Sequence, residues 1–141
     1  MKTLYVLGFL FTKDLKKVVL ILKNKPEWQK GYLNGIGGKI EKGESAGEAM
    51  VREFWEEAGL ETDTSEWEHF LLIKGKEWEV NCFRSFIPTE GLKLITSKTD
   101  ESVFIANVFD IPTLKVIPNL NYIIPMCLDF DNFTGEITYE P

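Results

Sequence analysis

The chain has 141 residues, 44% of them apolar and 27% charged, with a formal net charge of −6. That length predicts one domain over residues 1–141, able to bury about two-thirds of its unfolded surface without disulfide staples. The acidic balance argues against a duplex nucleic-acid partner, and the single histidine, His69, excludes any site built on two imidazoles.

In chain order, Met1–Phe11 is apolar behind Lys2 but has no small-residue cleavage site, and Lys13-Asp14 follow at once. It therefore reads as a first strand and not a leader. Thr3–Phe11 and Val18–Lys23, rich in β-branched and aromatic residues, are predicted strands joined by a polar turn at Thr12–Lys17. Asn24–Asn34, with Pro26 and Gly31, reads as a loop, and the glycine-rich Gly35–Ile40 as a loop or short strand. A helix follows over Ser45–Ala58. Trp67–Lys74 and Glu77–Ile87 are strands about a hairpin at Gly75, and Glu101–Phe109 is another. Asn121–Phe130 is a second helix, with Asn119 or Asn121 as N-cap and Pro125 in or near its first turn. Gly135–Tyr139 is a final strand. Helices interleaved with strands predict an α/β domain with helices packed on a mixed β-sheet. No apolar run approaches the ~20 residues of a membrane span, and no obligate protein partner is evident. Cys82 and Cys127, far apart and without CxxC spacing, read as small buried residues of a cytoplasmic protein, neither a zinc site nor a disulfide.

One segment breaks a local rule. Ser45-Ala46-Gly47-Glu48 has the form of a capping box, and Gly59 is a natural left-handed stop, so the helix is expected over Ala46–Ala58. Ala46, Ala49, Met50, Phe54 and Ala58 make its apolar stripe. At about 100° per residue, Glu56 lies near −60° and Glu57 near +40° from Glu53, with Arg52 on the flank. Three carboxylates thus share one face, in the turns where the helix dipole disfavours anions. Two readings are open: a solvated acidic face, or a site for a hard cation such as Mg²⁺ or Mn²⁺ held by oxygens.

Gly38, Glu44, Arg52, Glu53, Phe54, Glu56, Glu57, Gly59 and Leu60 resemble the Nudix box, G-x5-E-x7-R-E-U-x-E-E-x-G-U, where U is a bulky apolar residue. Phe54 is a less usual choice in its slot. Agreement at the seven residue-specific positions has a chance probability on the order of 10⁻⁸ per start point. The resemblance covers residues 38–60 directly. It implies the αβα-sandwich Nudix fold, with the box helix and a C-terminal helix on a mixed sheet. It also implies divalent-metal-dependent hydrolysis of a nucleoside diphosphate linked to another group. By similarity, Glu56 and Glu57 bind the metal with the Gly37 carbonyl, and Glu53 is a ligand or the water-orienting base. Glu44 and Arg52 form a positioning ion pair, and Glu101 is the later acid that completes the site, unless it is a plain surface acid.

The substrate is read from a narrower likeness. Leu33–Lys39, with Asn34, Gly38 and Lys39, looks like the segment preceding the box in the MutT-like, nucleotide-pool-sanitising branch, where the Asn contacts the base. Asn34 is equally readable as a turn residue beside Gly35. Asn119 and Asn121 look like that branch's second base-contacting segment, or like helix caps. Trp78 and Phe83 are readable as base-stacking groups or as core aromatics. Lys23, Lys39 and Lys42 are readable as phosphate contacts or as a solvated face. Between Glu61 and Ile87 there is neither the Pro typical of ADP-ribose enzymes nor the Tyr typical of diadenosine polyphosphate enzymes. The expected reaction is cleavage of a purine nucleoside triphosphate, its base normal or oxidised, to monophosphate and pyrophosphate. Other diphosphate substrates and a non-catalytic nucleotide-sensing or protein-binding domain are the alternatives.

Overall fold

The first strand, β1 (Thr3–Thr12), is apolar almost throughout because it is buried on both faces. Its even residues Val6 and Leu10 join one core cluster, and its odd residues Phe9 and Phe11 join the other. The computed structural model describes residues 1–129 and 134–140. The further strands are β2 (Lys17–Leu22), β3 (Leu33–Asn34), β4 (Ile36–Lys39), β5 (Glu68–Lys74), β6 (Trp78–Ile87), β7 (Val103–Asn107) and β8 (Gly135–Thr138). The helices are α1 (Ala46–Ala58) and α2 (Leu120–Cys127).

All eight strands form one mixed sheet in the order β3-β2-β1-β6-β5-β8, with β4 added to β1 and β7 to β2. β1 runs parallel to β6 over its whole length, Thr3 opposite Trp78 through Thr12 opposite Ile87, and antiparallel to β2 and β4. α1 covers one face through Ala49, Met50, Phe54 and Ala58, and α2 covers the other through Leu120, Ile123, Ile124 and Cys127. This is the helix–sheet–helix sandwich that the box resemblance implies. Among the described residues no helix is long and apolar enough to cross a membrane.

The expected α1 is the observed one, and its ends show why. Ser45 Oγ accepts from the Glu48 N–H at 3.1 Å, and Glu48 Oε1 accepts from the Ser45 N–H at 2.8 Å. Gly59 closes the helix with φ 71°, its N–H donating to the Trp55 carbonyl at 3.0 Å.

Elsewhere the boundaries shift for local reasons. The segment read as loop, Asn24–Asn34, carries a 3-10 turn at Glu27–Gln29 after a cis Lys25–Pro26 bond, and its end, β3, pairs with β2. The strand expected to reach Phe109 stops at Asn107. A 3-10 turn over Val108–Thr113 replaces its end, held by Asn107 Nδ2 donating to Asp110 Oδ2 and Thr113 Oγ1 donating to the Asp110 carbonyl. α2 begins at Leu120. Asn119 occupies the cap position in a helical conformation and makes no capping bond with its side chain, and Pro125 sits in the second turn. The expected end of this helix at Phe130 lies outside the described residues.

β4 runs so close to β1 that a Cβ on Gly37 would fall 1.9 Å from the Val6 carbonyl oxygen. Backbone cannot step aside cheaply in the middle of a sheet. Gly37→Ala is therefore expected to cost about 3 kcal/mol or more, read as a lowered urea midpoint or loss of soluble protein.

Candidate active site

Arg52 organises the acidic face of α1. Its Nε and Nη2 grip the two Glu44 oxygens at 2.7 and 2.9 Å. Its Nη1 donates to Glu53 Oε1 at 2.8 Å and Glu56 Oε2 at 3.2 Å, and Nη2 reaches the Lys39 carbonyl at 3.0 Å. One planar fork thus ties the loop before α1, the end of β4 and two helix acids together. The Arg52 hydrogen bonds hold the Glu44 carboxyl below the usual carboxylate range. Arg52→Lys retains the charge but not the fork. It is expected to cost about 2 kcal/mol of stability, measured by chemical denaturation.

Glu53 and Glu57 face inward from the same helix. Gly38 makes room for Glu53: a Cβ there would lie 2.4 Å from Glu53 Oε1. Burial raises the proton affinity of Glu53 despite its bond to Arg52. Glu57 is 8% exposed, and its Oε2 is buried without a hydrogen-bond partner among the described residues. Burial first, then the neighbouring Glu53 charge, push the Glu57 carboxyl up to about 8. A native fold does not normally leave a buried carboxylate oxygen without a donor. The acids that share its helix face, Glu53 and Glu56, offer oxygen donors, which suit a hard divalent cation. Among the described residues no three His, Cys, Asp or Glu side chains are gathered into a ready-made metal cluster. Arg52 engages Glu53 and Glu56 instead.

The β4 ladder adds a further oxygen. The Ile40 N–H donates to the Leu4 carbonyl at 2.8 Å, so by alternation Val6–Gly38 and Gly8–Ile36 are the bonded pairs. Gly37 and Lys39 then turn their carbonyls away from β1, and it is the Lys39 carbonyl that Arg52 reaches.

Gly37, Gly38 and Lys39 also rim a cleft of about 1010 Å³. Lys23, Asn34, Trp78 and Asn119, all anticipated as substrate contacts, line it as well. The Asn119 Oδ1 is buried there without a partner among the described residues. Asn34 is engaged locally, accepting from the Gly35 N–H at 2.8 Å and donating to Gln29 Oε1 at 3.1 Å.

Three anticipated contacts lie elsewhere. Phe83 is buried under α1 on the opposite face, because strand alternation sends Trp78, Val80 and Cys82 one way and Phe83 the other. Asn121 lines a separate apolar pocket with Ile124 and Pro125, and its Nδ2 donates to the Pro118 carbonyl at 3.3 Å. Lys42 is likewise outside the cleft. Lys25, Trp28 and Gln29 line the cleft without having been anticipated. Their one sequence signal is an aromatic residue, Trp28, in a polar loop after a proline, and the structure leaves it 67% exposed.

Glu101 stands at the other edge of the site, 5% exposed. Burial would raise its proton affinity, but the Asn24 N–H, the Lys23 ammonium and the Lys25 N–H together outweigh that and lower it.

The family profile for the NUDIX domain matches residues 1–107. The chain belongs to the Nudix family. No curated protein matches it. Among solved Nudix structures it is similar to a hydrolase from Nitrosomonas europaea, with TM-score 0.77 at 13% identity, covering 99% of this chain and 80% of that one. A MutT structure from work on Aliivibrio salmonicida and Vibrio cholerae matches with TM-score 0.74 at 18% identity, covering 92% of this chain and all of the other. The NUDIX domain of Shewanella oneidensis NrtR, crystallised with ADP ribose, matches with TM-score 0.76 at 16% identity, covering 91% and 87%. At these identities the structures share the fold. Membership of the Nudix family supports phosphoanhydride hydrolysis as the general activity and a divalent metal as the usual cofactor.

Proposed function

We propose that this Nudix chain, acting as one domain over residues 1–141, is a nucleotide pyrophosphohydrolase. Its preferred substrate is a purine nucleoside triphosphate, cleaved to monophosphate and pyrophosphate. The observation that carries this is the unpartnered, buried Glu57 oxygen beside Glu53, on a helix face that meets a large cleft at Gly38. Glu56, Glu57 and the Gly37 carbonyl would hold Mg²⁺ or Mn²⁺, which when bound supplies positive charge to the diphosphate and acidifies the attacking water.

The chain's own groups do the rest. Lys25 and Lys39 line the cleft, and their ammonium groups neutralise phosphate oxygens. Glu53, with its raised proton affinity, takes the proton of the attacking water at its carboxylate. Trp28 and Trp78 offer aromatic surface to a base. Asn119 Oδ1, lacking a donor, accepts from an N–H on the edge of a purine, an oxidised one included. The buried free thiols of Cys82 and Cys127 fit the reducing cytoplasm.

The test is an Mg²⁺ assay of canonical and 8-oxo-purine triphosphates, ADP-ribose, diadenosine polyphosphates and nucleotide sugars, with products separated by ion exchange. A Glu56→Gln/Glu57→Gln variant is the blank. Triphosphate turnover to monophosphate and pyrophosphate, lost in the blank, is the expected result. Turnover confined to ADP-ribose or a dinucleotide would retain the helix chemistry and discard the Asn119 reading. No turnover on any of them would overturn the proposal.

A further inference from the structure

The Glu101 carboxylate, expected from the sequence to join the metal, has both oxygens committed to one short stretch of chain. Oε1 accepts from Lys23 Nζ at 3.0 Å, and Oε2 accepts from the backbone N–H groups of Asn24 at 2.7 Å and Lys25 at 3.2 Å. Next to it, the Asp100 carbonyl accepts from Asn24 Nδ2 at 2.7 Å. These contacts fall on the entry to the 23–32 loop. The base of that loop is closed by Lys23 N–H to the Tyr32 carbonyl and Gly31 N–H to the Lys23 carbonyl, both at 2.9 Å. Beyond the clasped residues the same loop supplies Lys25, Pro26, Trp28 and Gln29 to the cleft wall.

We propose that Glu101 is a positioning residue: its carboxylate clasps residues 23–25 and thereby sets the cleft wall that receives the nucleotide, and it does not bind the metal. Drawing the carboxylate away to a cation would leave the Asn24 and Lys25 N–H groups without the acceptor that a carboxylate only 5% exposed now gives them. A clasp on a wall-forming loop acts on substrate binding, whereas a ligand acts on metal affinity and turnover. The proposal rests on the proposed hydrolysis for its kinetic arm alone.

Two variants separate the roles. Glu101→Ala removes every acceptor. Glu101→Gln keeps one carbonyl oxygen for the two N–H groups but has lost the charge a metal ligand needs. Three readouts apply: Mn²⁺ affinity by calorimetry, amide exchange over residues 24–29, and the split between KM and kcat on the triphosphate turned over by the wild type. For Glu101→Ala, Mn²⁺ affinity is expected to stay within about twofold, amide exchange to accelerate at least tenfold, and KM to rise about tenfold with kcat within about threefold. Glu101→Gln is expected to recover most of the KM and the exchange protection.

A tenfold or greater loss of Mn²⁺ affinity in both variants, with kcat falling and KM steady, would make Glu101 a ligand and overturn the clasp. So would unchanged exchange over 24–29 in Glu101→Ala. If Glu101→Ala does not fold, Glu101→Gln alone decides, since a ligand role requires it to lose metal affinity and a clasp does not. A wild type that turns over nothing defeats the proposed function, while exchange and metal affinity still judge the clasp.

Discussion

Replacing Glu57 with Gln is expected to stabilise the metal-free protein while abolishing hydrolysis. The two effects share one cause. In the folded chain the Glu57 carboxyl is pushed up to about 8, whereas its ordinary value is 4.5. At neutral pH the fold therefore bears the cost of either ionising a buried acid or holding a proton the unfolded chain has released. That cost is on the order of 3 kcal/mol. A neutral amide removes it and keeps an N–H to donate to Glu53, whose charged form the Glu57 hydrogen bond favours. Urea denaturation in EDTA near neutral pH checks the gain. Turnover in Mg²⁺ is expected to fall at least about 10³-fold, the several kcal/mol that metal charge stabilisation is worth. A variant less stable than wild type in EDTA would show that Glu57 has a donor in solution and that the site is not built around a missing cation.

The second large effect is on the pH dependence of stability, and metal should reverse it. Between about 4.5 and about 8 the folded protein keeps a proton on Glu57 that the unfolded chain has lost. The unfolded state binds fewer protons in that window, so stability falls as pH rises, by up to about 1.4 kcal/mol per pH unit. This contribution is fully present below the ordinary carboxylate value and gone above the folded one. Glu53, also raised, acts in the same direction. Glu44 and Glu101 are lowered, so their contributions are present above the ordinary range and lost in stronger acid. The metal-free protein should thus be most stable on the mildly acidic side. Cation binding requires the deprotonated acids, so Mg²⁺ should raise the melting temperature more at about pH 8 than at about pH 5.5. Thermal scans at both values, with EDTA or Mg²⁺, provide the comparison. Equal shifts at the two values would separate metal binding from Glu57.

What could be read ahead was what is local. α1 announced itself through Ser45, Glu48 and Gly59, whose bonds close within four residues, and through an apolar stripe that any helix packed on a sheet must have. The grouping of Glu53, Glu56 and Glu57 followed from helix geometry alone. The cleft followed from nothing local. Trp28 and Gln29 reach it because β2 and β3 bring the two ends of their loop to one side of the sheet. Trp78 and Phe83 could not be given their roles because both faces of β6 mix apolar and polar residues, Arg84 on one and Glu79, Asn81 and Ser85 on the other, and only its pairing with β1 decides which face meets which helix. Asn119 and Asn121 differ by the point at which α2 begins, a boundary set by a turn after Pro118 and not by an asparagine cap. Glu101 resembled any acid before a strand until its partners, nearly eighty positions earlier, came into view.

The parallel pairing of β1 with β6 joins residues 75 positions apart at every step, from Thr3 with Trp78 to Thr12 with Ile87. On a ribosome, β1 leaves the exit tunnel before β6 and waits for it until the chain past Ile87 has followed. The β2 hairpin and α1 can assemble on it earlier, but the middle of the sheet stays open on one side until β6 has emerged. Over that interval β1 presents an unsatisfied apolar edge, the kind of surface that chaperones hold.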